Sequence, residues 1–288
     1  MHVTVVITLY NDIRVLHTIN SLRNQTYQPN KILIADGGSP PDIKECVEKV
    51  IKDMPNAEFM LLPGRCIDTR RQVIMKLFDK TDIIAFIDSD EEAHEDWLGY
   101  LIAPIVSGLA DFTGGPTYWK NYPQSKPEMI LSNIIKEVEK QFSADMTYLG
   151  MGNSAWSTKI FRNIGNFDAS SNINKTDKDK VLGSYHVSDD YDINIRAIKA
   201  GFRGRFVEDA KVFHDQVHID SYKKLLKYFY GQYVRTSMAY FKHREALSKF
   251  TKMTKSLRIT HPFVVILYLI KPIAFLHGWK EWQKLDKN

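Results

Sequence analysis

From Thr4 to Asp88 the chain alternates short β-branched, apolar runs with stretches whose apolar side chains recur at helical spacing. No other feature of the sequence restricts the fold so much. Strand and helix patterns in strict alternation predict a parallel sheet with crossover helices on its faces. Strands are read at Thr4 to Tyr10, Lys31 to Asp36, Ala57 to Leu62 and Ile83 to Asp88. Asp12 is placed to cap a helix running to about Asn24, with Ile13, Leu16, Ile19 and Leu22 at helical spacing. Asp42 to Lys52 and Asp68 to Phe78 supply the next two helices. Every strand but the third ends on a polar residue, and in a parallel sheet those ends share the carboxyl edge, where α/β proteins bind ligands.

The fourth strand delivers Asp88-Ser89-Asp90 to that edge. Two carboxylates one residue apart repel each other, so they call for a compensating cation, most simply Mg2+ or Mn2+ shared with substrate phosphates. Such a motif also occurs in solvated loops, and only its position after a buried strand gives it weight. The second strand ends in Asp36-Gly37-Gly38-Ser39, a carboxylate followed by residues that permit close backbone approach; a nucleobase across the edge or a plain turn would both suit it. Glycine fingerprints of dinucleotide sites and P-loops are missing, so phosphate handling must come from elsewhere.

Beyond Asp111 the pattern loosens. Thr113 to Thr117 is turn-rich, Met129 to Gln141 reads as a helix, and the polar stretch from Ser170 to Lys180 reads as a mobile loop. Three parts are therefore expected: residues 1–110, residues 111–220, and a helical tail over 221–288. Two distant cysteines, Cys46 and Cys66, make neither a zinc spacing nor a disulfide framework, as in a cytosolic protein. The amino terminus enters a strand directly, without the pattern of an export signal.

The net charge of +5 conceals an asymmetry. Between Ser221 and Thr260 ten Lys or Arg stand against the single acid Glu245, interleaved with aromatic residues. The apolar runs Pro262 to Ile270 and Ile273 to Leu276 follow, separated by Lys271-Pro272; each is too short to cross a bilayer. The tail is expected to lie on a membrane surface, the alternative being a helix packed on the domain. A nucleic-acid partner is not expected, because the acidic motifs at the sheet edge would repel a phosphate backbone.

Val5 to Asn11, Thr18 to Tyr27 and Ile32 to Ser39 closely resemble the opening of the family 2 inverting glycosyltransferases. Ile83 to Asp90 resembles that family's metal-binding strand end, and the similarity continues through Gly152 to Trp156, Ile164 to Asp168, Asp189 to Arg196 and Ala200-Gly201. The resemblance implies a GT-A fold: a mostly parallel, nucleotide-binding sheet flanked by helices (1–110), an acceptor-binding half of the same domain (111–220), and the basic and apolar tail. It also implies transfer of a sugar from a UDP- or GDP-sugar to a glycan or lipid-linked acceptor, with Mn2+ or Mg2+. In this reading Thr8, Tyr10, Asp36, Ser89 and Asp88 line the nucleotide site, together with Arg70 or Arg71. Asp88 and Asp90 hold the metal, and His214 stands near it. Asp190 is the general base, with Asp189, in the place usually taken by Glu, and Trp156 on the acceptor side. Cytoplasmic action on the inner face of the cell membrane is expected. Gln232-Tyr-Val-Arg235 is similar to a signature of processive polysaccharide synthases, but Thr236 stands where those have Trp. A processive synthase, or a non-catalytic module binding sugar nucleotides or docking on a membrane, is the alternative.

Overall fold

The computed structural model describes residues 1–64, 66–121, 123–134, 149–168, 189–215, 219–243 and 262–286. In chain order these carry β1 (Val3–Leu9), α1 (Val15–Arg23), β2 (Lys31–Asp36), α2 (Pro41–Ile51), β3 (Ala57–Leu61), α3 (Cys66–Leu77) and β4 (Ile83–Asp88). Then come β5 (Glu91–Ala93), α4 (Trp97–Val106), β6 (Phe112–Gly114), β7 (Thr117–Trp119), α5 (residues 126–134), β8 (Asn153–Ser157) and α6 (Thr158–Ile164). α7 (Asp189–Lys199), β9 (Gly204–Phe206), β10 (Val212–His214), α8 (Tyr222–Lys242) and α9 (Pro262–Asp286) complete them.

Seven strands form one sheet in the order β3-β2-β1-β4-β8-β6-β9. β1, β2, β3 and β4 are mutually parallel, whereas β8 runs antiparallel to both β4 and β6. All seven residues of β1 are buried, as expected of a strand covered on both faces. One layer of core sets Val5, Ile7, Ile34 and Ile87 against Ile19 and Leu22 of α1. The chain walks outward from β1 through β2 to β3, then returns to place β4 on the other side of β1. The order therefore reverses between β1 and β4, and α/β sheets bind ligands beyond the carboxyl ends of the strands at such a switch point.

The strand readings hold to within one residue at each end. Helix α1 begins later than its expected cap, because the Asp12 carboxylate accepts a hydrogen bond from the Arg14 backbone N–H, two residues on, and holds a turn. The expected Met129 to Gln141 helix is helical over 126–134, its remainder lying outside the described residues. The expected loop at Ser170 to Lys180 also lies outside them.

The chain divides into two packed units. The first comprises residues 1–121, 146–167 and 196–215 and contains all ten of the described strands; the second comprises 122–145, 168–195 and 216–288. A division at residue 110 would cut through the seven-stranded sheet, since β6 and β8 pair in register with it. In the second unit α8 and α9 lie side by side: the Tyr230 hydroxyl is 3.0 Å from His277 Nδ1, and the Tyr240 and Phe241 rings meet Phe275. α9 runs unbroken through Pro272, although the sequence suggests an interruption at Lys271-Pro272. No described helix is long and apolar enough to cross a membrane.

Candidate functional site

The register of the sheet assembles the first part of the site. Thr8 of β1 stands opposite Asp88 of β4, and Leu9 opposite Asp36 of β2, so three strand ends meet on one edge. Among the described residues the buried Thr8 hydroxyl has no hydrogen-bond partner. Asp36 is buried too, but its carboxylate accepts hydrogen bonds from the Ser39 backbone N–H (3.0 Å) and hydroxyl (2.5 Å), so its first task is to close the turn. Gly37 within that turn touches Tyr10: a Cβ there would stand 3.2 Å from the Tyr10 ring and 2.2 Å from the Gly64 carbonyl oxygen. Tyr10 itself is 55% exposed, leaving much of its ring open.

Asp88 and Asp90 are each met by cations. Arg70, buried on α3, donates from Nη2 to Asp88 Oδ1 at 2.7 Å. Arg71, the next residue along the helix, points elsewhere and donates to the Phe167 carbonyl at 2.9 Å. Asp90 Oδ2 lies 3.1 Å from His214 Nε2 and 3.2 Å from Arg14 Nη2. Between the two aspartates the Ser89 carbonyl accepts from the Thr18 hydroxyl at 3.0 Å, pinning the turn to α1. His214 arrives because β10 pairs antiparallel with β5, with His214 opposite Glu91. Glu91 is buried, and its Oε2 accepts from the Asp88 backbone N–H at 3.2 Å.

Electrostatics follow from this packing. Burial would raise the Asp90 carboxyl, but the hydrogen bond and charge of His214, with Arg14, outweigh it and hold Asp90 below the usual range. His214 shows the reciprocal effect: burial disfavours its charge, and Asp90 with its acidic neighbours raises it nonetheless. For Glu91, burial followed by the Asp88 charge outweighs the opposing charge of His214 and pushes it up to about 8. Gly152 faces this cluster. A methyl group there would stand 2.6 Å from Asp88 Oδ2 and 2.9 Å from Glu91 Oε2. Among the described residues no three metal-binding side chains form a ready cage.

Asp189 and Asp190 belong to the second unit, in the first turn of α7, where both are partly exposed. The Asp190 carbonyl accepts from Asn194 Nδ2 at 2.7 Å. Asp192, one turn in, is buried and gripped by Lys242 and by His243, whose Nε2 lies 2.9 Å from its Oδ1. Lys242 also binds Asp168, so the end of α8 fastens the start of α7.

Trp156 corrects an expectation. It is fully buried, stacked on Phe112 with ring centroids 4.6 Å apart, and its indole N–H donates to Ser154 Oγ. β8 is covered on both faces, so this ring is core and has no surface to offer an acceptor. Sequence reasoning also passed over Arg14, Thr18 and Glu91. Adjacency was the available signal: Glu91 directly follows Asp90, and Arg14 follows Asp12 by two.

Residues 4–165, more than half of the chain, match the family described as Glycosyl transferase family 2. A sequence search among curated proteins finds no significant match. Among solved structures, a mannosyltransferase from Pyrobaculum calidifontis, PcManGT, in complex with GDP-Man and Mn2+, superposes with a TM-score of 0.61 at 12% identity, over 97% of this chain and 73% of that one. GalNAc-T7 with UDP, GalNAc and Mn2+ gives 0.57 at 17% identity, over 88% of this chain and 54% of that one. S. aureus TarS gives 0.54 at 13% identity, over 100% of this chain and 55% of that one. This chain thus spans about half the length of the latter two, and identities this low speak to the fold alone.

Proposed function

The chain belongs to glycosyl transferase family 2, and from that premise we propose that it moves a sugar, with inversion at the anomeric carbon, from a UDP- or GDP-sugar to the hydroxyl of a lipid-linked or membrane-proximal acceptor. One observation carries this reading: two carboxylates, Asp88 and Asp90, stand with Arg70, Arg14 and His214 at the carboxyl edge where the strand order reverses. That is the position and charge set a nucleoside diphosphate with a divalent ion requires.

The donor set suits Mn2+ or Mg2+. Such ions take one or two carboxylates from a protein and fill their remaining positions with phosphate and water, so a complete protein cage is not needed. Asp88 and Asp90 would hold the ion, with His214 as the third candidate, and Gly152 keeps the approach to Asp88 clear. When bound, the ion supplies charge neutralisation for the departing diphosphate. Arg70 aims Asp88, Thr18 pins the turn between the aspartates, and the unpartnered Thr8 hydroxyl and the open Tyr10 ring offer contacts to the nucleotide. Asp36 stands at the same edge for the base, and Ser89 contributes its backbone.

Inversion in one displacement needs a base that takes the acceptor proton as the hydroxyl attacks. Asp190 fills that role, partly exposed on a turn whose neighbour Asp192 is locked by Lys242 and His243. Asp189 beside it serves the acceptor. The basic and aromatic tail is what supports a reaction at the inner surface of the cell membrane.

A panel of nucleotide sugars, each assayed for transfer or hydrolysis with Mn2+, Mg2+ or EDTA, tests the reading. Asp190→Asn is expected to lower turnover about 10²–10⁴-fold while donor binding persists. Asp88→Asn is expected to weaken metal-dependent donor binding itself. Near-normal turnover in Asp190→Asn would remove the base assignment, and failure of every donor to bind under any metal would sink the transferase reading.

A further inference from the structure

Helix α9 has two apolar faces, and among the described residues only one of them is covered. Phe263, Leu267 and Ala274 are buried, and Gly278 meets α8 so closely that a Cβ there would stand 2.6 Å from the Val234 carbonyl oxygen. On another side Val265, Ile266, Leu269, Ile273 and Leu276 are exposed, by 43%, 44%, 68%, 61% and 58%. Residues 265, 269, 273 and 276 recur at three- and four-residue steps, which sets them on one stripe about 16 Å long. A helix that is apolar on two opposed sides is ordinarily buried on both, so this stripe needs an occupant.

Charge selects among the possible occupants. Neighbouring α8 contains no acid, and its Lys223, Lys224 and Lys227 are exposed, Lys224 with Asp220 as its ion-pair partner. Its first residue, Tyr222, has its ring 5.7 Å from that of Phe263, so these lysines flank the amino-terminal end of α9. Lys280, one turn beyond Leu276, is exposed at the other end of the stripe. By sequence, the segment preceding α9 adds Arg244, Lys249, Lys252, Lys255 and Arg258. A second copy of this chain would bring the same cations face to face, at a repulsive cost. An anionic lipid surface offers the opposite charge beside an apolar layer, and an apolar helix face flanked by lysines is the pattern that binds there in the plane of the interface. Since α9 is not apolar enough to cross a bilayer, lying flat is the geometry open to it.

We propose that the stripe Val265, Ile266, Leu269, Ile273 and Leu276 on α9 is a docking face that beds in-plane into an anionic lipid surface. It rests on the membrane-surface reading above and names the side chains that would perform it. The test uses the full chain with vesicles of phosphatidylcholine alone or mixed with phosphatidylglycerol, read by co-sedimentation, with light scattering for mass. The parent is expected to bind the anionic vesicles, and Leu269→Ser combined with Ile273→Ser to bind about tenfold more weakly, with its melting transition unchanged. Should that double variant misfold, Lys223→Gln with Lys227→Gln replaces it and is expected to lose part of the preference for phosphatidylglycerol. Equal binding by parent and folded variants would overturn the docking face and leave the membrane-surface reading standing. No binding to either vesicle by the parent would overturn both. A concentration-dependent dimer abolished by the double serine variant, without vesicle binding, would assign the stripe to a second copy instead.

Discussion

Glu91 sits buried beside Asp88 and opposite His214 in the β5–β10 ladder, and its carboxyl is pushed up from 4.5 to about 8 by burial and then by Asp88. In the unfolded chain it ionises near the lower value, so between the two pH values the native state holds a proton that the unfolded state has lost. Stability tied to this group is complete at low pH and falls as pH rises toward 8. In EDTA, Glu91→Gln should therefore gain melting temperature relative to the parent as pH goes from 5 to 8; a gap that stays constant would show that Glu91 does not titrate there. At this scale the sequence displayed the carboxylates, because Asp36, Asp88 and Asp90 end apolar runs. It could not choose between Arg70 and Arg71, whose side chains point about 100° apart on a helix of undetermined phase. Trp156 misled because a strand buried on both faces carries no alternation to say which side chains look outward.

Among the elements, the contact of α8 with α9 is the tightest to test. A Cβ at Gly278 would fall 1.6 Å from Ser237 Oγ and 2.6 Å from the Val234 carbonyl oxygen, and the latter, being helical backbone, cannot swing aside. Gly278→Ala should therefore destabilise the protein by about 1–3 kcal/mol, measured by urea unfolding, despite alanine's better helix propensity. A gain in stability would mean that the helices do not approach so closely. The four long strands and three crossover helices were legible because each spans enough residues for periodicity to show. β5, β7 and β10 were not: with three residues each they carry barely one repeat of alternation, and they exist through pairing with one another. His214 was therefore visible as a residue, while the ladder that brings it to Asp90 was not.

For the whole molecule, the proposed donor site makes stability a report on binding. A nucleoside diphosphate at a hundred times its Kd should stabilise the native state by about 2.7 kcal/mol. The accompanying rise in melting temperature should require Mn2+ or Mg2+ and vanish in EDTA; an equal rise in EDTA would exclude a metal bridge to Asp88 and Asp90. The fold class was legible from the alternation of the first half, but the partition into units was not, because pairing between β4 and Asn153–Ser157 joins residues that no local pattern connects. That pairing matters while the chain is being made. The first unit is drawn from three separate stretches, and β9, its last strand in the large sheet, ends at Phe206. A ribosome must therefore deliver two stretches of the second unit, 122–145 and 168–195, before that sheet can close. Until Asn153–Ser157 emerge, the far edge of β4 waits without β8, so the nascent chain carries an open, apolar strand edge, the kind that chaperones shield. Cutting the gene after β4 would leave that edge permanently bare.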